Sequence, residues 1–138
     1  MTGRPVPVPD ELSAPFWENC AKHVLTLPRC SRCRAFSFPP DVVCAKCRSP
    51  DPRFEFVPVP GRGRVRTWTV VRHSFLSGFE TPYILVDVEF DDPPAIRMIG
   101  RLLDGPDAGV ALEAPVTVAF EDIRPGVAVP AFRMAQDQ

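Results

Sequence analysis

The chain lacks every long apolar run: nothing in its 138 residues approaches the roughly 18 consecutive apolar positions of a membrane span. Its start, MTGRPVPVPDELS, has no apolar stretch behind a basic one, so it does not read as a secretory signal. The expectation is a cytoplasmic protein, in which thiols stay reduced and paired cysteines serve a metal rather than each other. Histidine is scarce, with only His23 and His73. No Ser/His/Asp constellation, Walker loop or dinucleotide fingerprint occurs. Paired acids exist, but Asp91 and Asp92 precede Pro93 and Pro94 as in a turn, and Glu121 and Asp122 read as a solvated loop. The chain therefore offers no legible acid/base pair, and catalysis by this chain alone is not the first reading. Excess charge is missing too. A net charge of −1 argues against general affinity for nucleic acid. The distribution is less even, because residues 1–75 carry 12 Lys/Arg against 6 Asp/Glu and residues 76–138 carry 4 against 11.

What is present divides into three parts: an arm and helix over 1–27, a cysteine-rich segment over 28–52, and a strand-rich segment over 53–138. Residues 1–12 alternate Pro with Val and read as an extended arm. Ser13 is the expected N-cap, with Pro15 in the first turn. Phe16, Cys20 and Val24 fall at i, i+4 and i+8, with Trp17 and Ala21 beside them, which predicts an amphipathic helix over 14–24. Leu25 to Leu27 is a brief strand. From Arg53 onward, runs at 53–59, 63–75, 83–90, 95–103, 115–120 and 127–132 are rich in Val, Ile and Phe, with Gly/Pro/Asp clusters between them. In YILVDVEF, Ile84, Val86, Val88 and Phe90 share one face. The fold class expected is mainly β, with a helix and ribbon followed by a small antiparallel barrel of the OB type.

The segment CSRCRAFSFPPDVVCAKC holds four of the five cysteines. Two Cys-x-x-Cys knuckles, Cys30/Cys33 and Cys44/Cys47, are the ligand set of a tetrahedral structural zinc site. Arg29, Arg32, Arg34, Lys46 and Arg48 stand beside them and would offset the charge of four thiolates. Iron in the same cage would be redox-active, and an emptied site is a third possibility. A metal closed by four protein ligands has no open position for chemistry, so its work is folding. Cys20, on the helix's apolar face, reads as a buried small residue.

One strand face invites a ligand. Alternation in GRGRVRTWTVVR puts Arg62, Arg64, Arg66, Trp68 and Arg72 on one side. Arginines beside an indole suit phosphates and a stacked base, as in nucleic acid or the adenine end of coenzyme A. The plainer reading is an exposed face that arginines keep soluble. GRGRVR itself lacks the third glycine and the following helix of a phosphate loop.

The order of these motifs resembles a known family. A PFWE helix precedes LTLPRCSRC, FPP and CAKC. A segment beginning GRGRVRTWTVV then leads to TPYILVDVEF, IGRLLD, VTVAFED and VAVPAF. Over almost the whole chain this resembles the zinc-ribbon/OB family called domain of unknown function 35. Two features depart from that family: Arg34 and Arg48 stand where Gly often follows a knuckle, and Asp41 stands where Arg commonly follows the Pro-Pro pair. The resemblance implies a structural zinc and no catalytic residues of the chain's own. It also implies a place beside a thiolase-like enzyme, or an acyl-CoA hydratase, that handles coenzyme A thioesters. Complexes of this sort cleave steroid side chains, with a thiolase-fold aldolase as the larger partner in a hetero-oligomer, two copies of each. Arg62, Arg64, Arg66 and Trp68 would then meet the phosphates and adenine of coenzyme A. A nucleic-acid-binding ribbon/OB module and a free electron carrier are the alternatives from other classes.

Overall fold

Alternation decides the central strand. Ile84, Val86, Val88 and Phe90 are all buried on one side of β4 (Tyr83–Phe90), while Asp87 and Glu89 face out. A computed structural model describes residues 4–135, so the first three residues of the expected arm lie outside the described residues. Before β4 come α1 (Ala14–Ala21), β1 (Thr26–Arg29), β2 (Glu55–Pro58) and β3 (Arg62–Val71). After it come β5 (Arg97–Arg101), β6 (Pro115–Arg124) and β7 (Val127–Met134). Five strands form an antiparallel sheet in the order β5-β4-β3-β6-β7. A parallel bridge between Leu102 and Phe132 closes its ends, with the Leu103 amide donating to the Phe132 carbonyl at 2.8 Å. This is the five-stranded, partly open barrel of the OB type. No helix among the described residues is long and apolar enough to cross a membrane.

Several expectations move. The run at 53–59 does not join the barrel. Its strand β2 pairs with β1, Leu27 opposite Val57, in a separate two-stranded sheet at the base of the ribbon. Strand β6 continues through Glu121 and Asp122, so these acids lie in a strand and not in a loop. The helix stops at Ala21 rather than at residue 24, because His23 takes a left-handed φ of 62°. The Val24 amide bonds back to the Asn19 carbonyl at 2.9 Å and the His23 amide to the Cys20 carbonyl at 2.8 Å, which is a Schellman ending. At the other end Ser13 makes no capping bond from its own position. Asp10 caps instead. Its carboxylate accepts from the Ser13 amide at 2.8 Å while the Ser13 hydroxyl accepts from the Asp10 amide at 3.1 Å.

Helix and barrel share one core. Phe16, Cys20, Leu25 and Leu27 join Val65, Val86, Val88, Phe90 and Phe132 in a single buried cluster. Phe16 is nearly fully buried, with the half-buried Trp17 edge-on at 5.0 Å, so its own chain covers most of the helix's apolar side. Burial pushes the Cys20 thiol up to about 12, which leaves it inert. The GRGR segment is needed for packing. A Cβ on Gly61, whose φ is +80°, would stand 2.3 Å from Val118, and one on Gly63 would stand 2.4 Å from the Glu89 carbonyl.

Candidate metal centre and outer barrel face

The two knuckles meet. Cys30, Cys33, Cys44 and Cys47 bring their sulfurs within 4.8 Å of one another, with Cys30 and Cys44 buried and Cys33 and Cys47 at the surface. Cys30 lies 3.8 Å from Cys47 and Cys33 lies 3.7 Å from Cys44. A disulfide would need about 2.05 Å. Four sulfurs at about 2.3 Å from a tetrahedral zinc stand about 3.8 Å apart, so this donor set fits the metal in number, type and spacing. Backbone amides turn in toward the sulfurs: Arg32 donates to Cys30 Sγ and Lys46 to Cys44 Sγ, each at 3.3 Å. Amide hydrogen bonds from Cys47 and Lys46 lower the Cys44 thiol to about 6. At Cys47 the amide bond from Ser49 is outweighed by burial and by the sulfurs of Cys33, Cys44 and Cys30, which raise its thiol to about 11.

Each knuckle closes on a residue in the left-handed region, Arg34 with φ 70° and Arg48 with φ 67°. Their amides donate to the carbonyls of Cys30 and Cys44 at 2.8 and 2.9 Å. These turns place arginine where glycine would be unstrained. The basic residues around the cage are partly answered by acids. Arg32 and Arg53 both reach Asp51, and Arg29 and Arg34 both reach Glu55.

The arginine strand is less regular than alternation predicts. In β3, Val65 stands opposite Val88, but Thr67 stands opposite Asp87, so a bulge inserts one extra residue at Arg66. Beyond it the faces exchange. Trp68 pairs with Val86, a core residue, and so lies on the side opposite Arg62 and Arg64. The expected single face of Arg62, Arg64, Arg66 and Trp68 is thus corrected: three arginines face outward without the indole. Arg72 stands exposed past the end of the strand. Arg66 reaches Glu89 at 3.0 Å and also pairs with Glu113, while Arg64 donates to the Glu113 carbonyl at 3.1 Å. Arg97 and Asp87 continue the row at 2.7 Å. These acids lie far from the arginines in sequence, and only the strand pairing brings them together. His23 stacks on Phe120 and pairs with Asp122 at 2.8 Å, another contact that no local pattern announced.

Comparison with known proteins now places the chain. Residues 17–53 match the family described as "ChsH2, rubredoxin-like zinc ribbon domain", and residues 56–121 match "ChsH2, C-terminal OB-fold domain". The chain belongs to this ChsH2-type DUF35 family. It is 26% identical to a chain of the solved "Ltp2-ChsH2(DUF35) aldolase", covering 93% of this chain and 98% of that one at a TM-score of 0.82. It is 27% identical over 135 residues to a "Probable enoyl-CoA hydratase alpha subunit" from Thermomonospora curvata, spanning only 41% of that protein's length. It is also 28% identical to a "DUF35 domain-containing scaffold protein" from Methanocaldococcus jannaschii, covering 83% of this chain and 81% of that protein.

Proposed function

We propose that this chain is a non-catalytic accessory subunit of a thiolase-fold enzyme that makes or breaks a carbon–carbon bond in an acyl-CoA. Retro-aldol cleavage of a steroid side-chain acyl-CoA in the cytoplasm is the favoured instance. The observation that carries this reading is the match along nearly the full length of the aldolase-associated chain. In this reading Cys30, Cys33, Cys44 and Cys47 hold a structural zinc that orders residues 28–52 and supplies no reaction chemistry. Arg62, Arg64 and Arg66 offer the outward guanidiniums for coenzyme A phosphates, and Trp68 drops out of that contact because the bulge turns it away. The partner supplies the groups that move protons and cleave the bond.

A second reading, an accessory subunit of an enoyl-CoA hydratase, is favoured by the likeness to the hydratase alpha subunit. A nucleic-acid module is the weaker alternative, because the net charge is −1 and residues 76–138 carry 4 Lys/Arg against 11 Asp/Glu. Co-expression with a thiolase-fold subunit, and separately with a hydratase subunit, tests the choice by size-exclusion chromatography with light scattering. Two copies of each chain should elute together with the thiolase-fold partner. Assembly with the hydratase alone would transfer the function to the second reading, and a free monomer beside both would overturn the accessory role.

A further inference from the structure

The second half of β3 has a neighbour on one side only. Val65 is the last residue bonded across to the β6 side, donating to the Ala114 carbonyl at 3.0 Å and accepting from the Glu113 amide at 2.8 Å. From Thr67 to Val71 the strand pairs with β4 alone. Alternate residues of an antiparallel strand turn their amide and carbonyl away from the paired neighbour. Among the described residues, no backbone group reaches those of Thr67–Val71 from the open side. Thr67, Trp68 and Thr69 are exposed. Folded proteins guard such an edge with charge, proline or a bulge along its length, because a bare one templates another strand. Here the open stretch is Thr-Trp-Thr-Val-Val, wholly β-branched or aromatic, with charge only at its ends, Arg66 and Arg72.

Over β3, β4 and β5 lies a shallow cavity of about 240 Å³ lined by residues 67–69 and 85–87 and by Ile99. Ile99 is 66% exposed there. We propose that the Thr67–Val71 edge docks an extended segment of a different protein, which adds a strand beside β3. Its backbone completes the ladder, its side chains stand beside Thr67 and Thr69 at the near rim of the cavity, and a carboxylate sits opposite Arg72. Backbone pairing supplies affinity in this mode, and a side-chain pocket on alternate residues supplies selection. The charge follows from Arg72, which makes no ion pair among the described residues, whereas Arg66 is already held by two acids. A second copy of this chain is the wrong occupant. Antiparallel self-pairing centred on Thr69 puts Arg66, and no carboxylate of the strand itself, opposite Arg72 of the other copy.

The biological partner rests on the accessory-subunit reading, but the edge can be tested without it. The zinc-loaded full chain is titrated with a short capped peptide that alternates Thr and Ile and carries Glu at each end. The same peptide with Lys at each end is the control. Backbone amide shifts and hydrogen exchange are followed by NMR. The Glu-ended peptide should perturb and protect Thr67–Val71 and bind roughly fivefold more tightly than the Lys-ended one. Arg72→Glu should reverse that order. No binding at millimolar peptide, equal binding of both peptides, or shifts centred elsewhere would overturn the proposal. So would sedimentation showing a dimer of the chain through this edge, or an oligo-dT strand that displaces the peptide and binds the same residues more tightly.

Discussion

Gly63 and Arg48 show opposite relations between a residue and its backbone. Gly63 stands where β4 approaches so closely that a methyl group meets the Glu89 carbonyl. Gly63→Ala should destabilise the barrel by about 1–3 kcal/mol through overpacking, read by chemical denaturation, while zinc content stays unchanged. Arg48 holds a left-handed turn that favours glycine. Arg48→Gly should raise ribbon stability by about 1 kcal/mol, seen as a higher denaturation midpoint of the zinc-loaded protein. A drop would mean that the side chain contributes more than the turn costs. At this scale the cysteines were legible because their spacing is itself the ligand geometry. Trp68 was not, because a bulge is invisible in a strict two-residue alternation and reverses every side chain after it. Asp10 was missed as the cap because Ser13 stood nearer the apolar run.

Between elements, Glu121 ties three segments together. It lies in β6, pairs with Arg101 of β5 and bonds Arg4 of the N-terminal arm at 3.2 Å. Burial alone would raise its carboxyl, but the Arg101 hydrogen bond and charge, followed by the charge of Arg4, hold it below the usual carboxylate range. A depressed carboxyl stabilises the fold at neutral pH, and that stabilisation is lost as pH falls through the carboxylate range toward its folded value. Glu121→Gln should therefore be less stable than the parent chain at pH 7, and the gap should begin to narrow only as pH falls below the ordinary value of 4.5 and close beneath the depressed folded value. A difference that stays constant with pH would contradict the pairing. Cys44→Ser should release the zinc and unfold the ribbon, while hydrogen exchange in β3, β4 and β7 stays slow, because the core cluster does not include the cage. The strands of YILVDVEF and its neighbours were legible from period-two burial. The fate of β2 was not, since pairing with β1 and pairing with a barrel strand demand the same composition.

At the scale of the whole molecule, the basic front half and acidic back half meet through individual ion pairs. Strand pairing folds Arg66 onto Glu89 and Glu113, and Arg4 onto Glu121, so part of the imbalance read along the sequence is answered across the two halves. If the remaining outward arginines meet coenzyme A, replacing Arg62, Arg64 and Arg66 together by Gln should raise the KM of an assembled complex severalfold and leave kcat nearly unchanged. Binding lost equally from ground and transition states has that signature. The barrel takes up Phe16, and Trp17 packs against the same core while staying partly exposed. A partner in the proposed role would have the half-buried Trp17, the ribbon, the outer face and the open edge of β3 to engage. The most direct measurement is acyl-CoA cleavage by the chain alone, by a thiolase-fold partner alone and by the two together. The chain alone should release no product, and the pair should turn over a steroid side-chain acyl-CoA that neither handles unaided. Turnover by the isolated chain, or a partner whose rate and stability are indifferent to it, would contradict the accessory-subunit function.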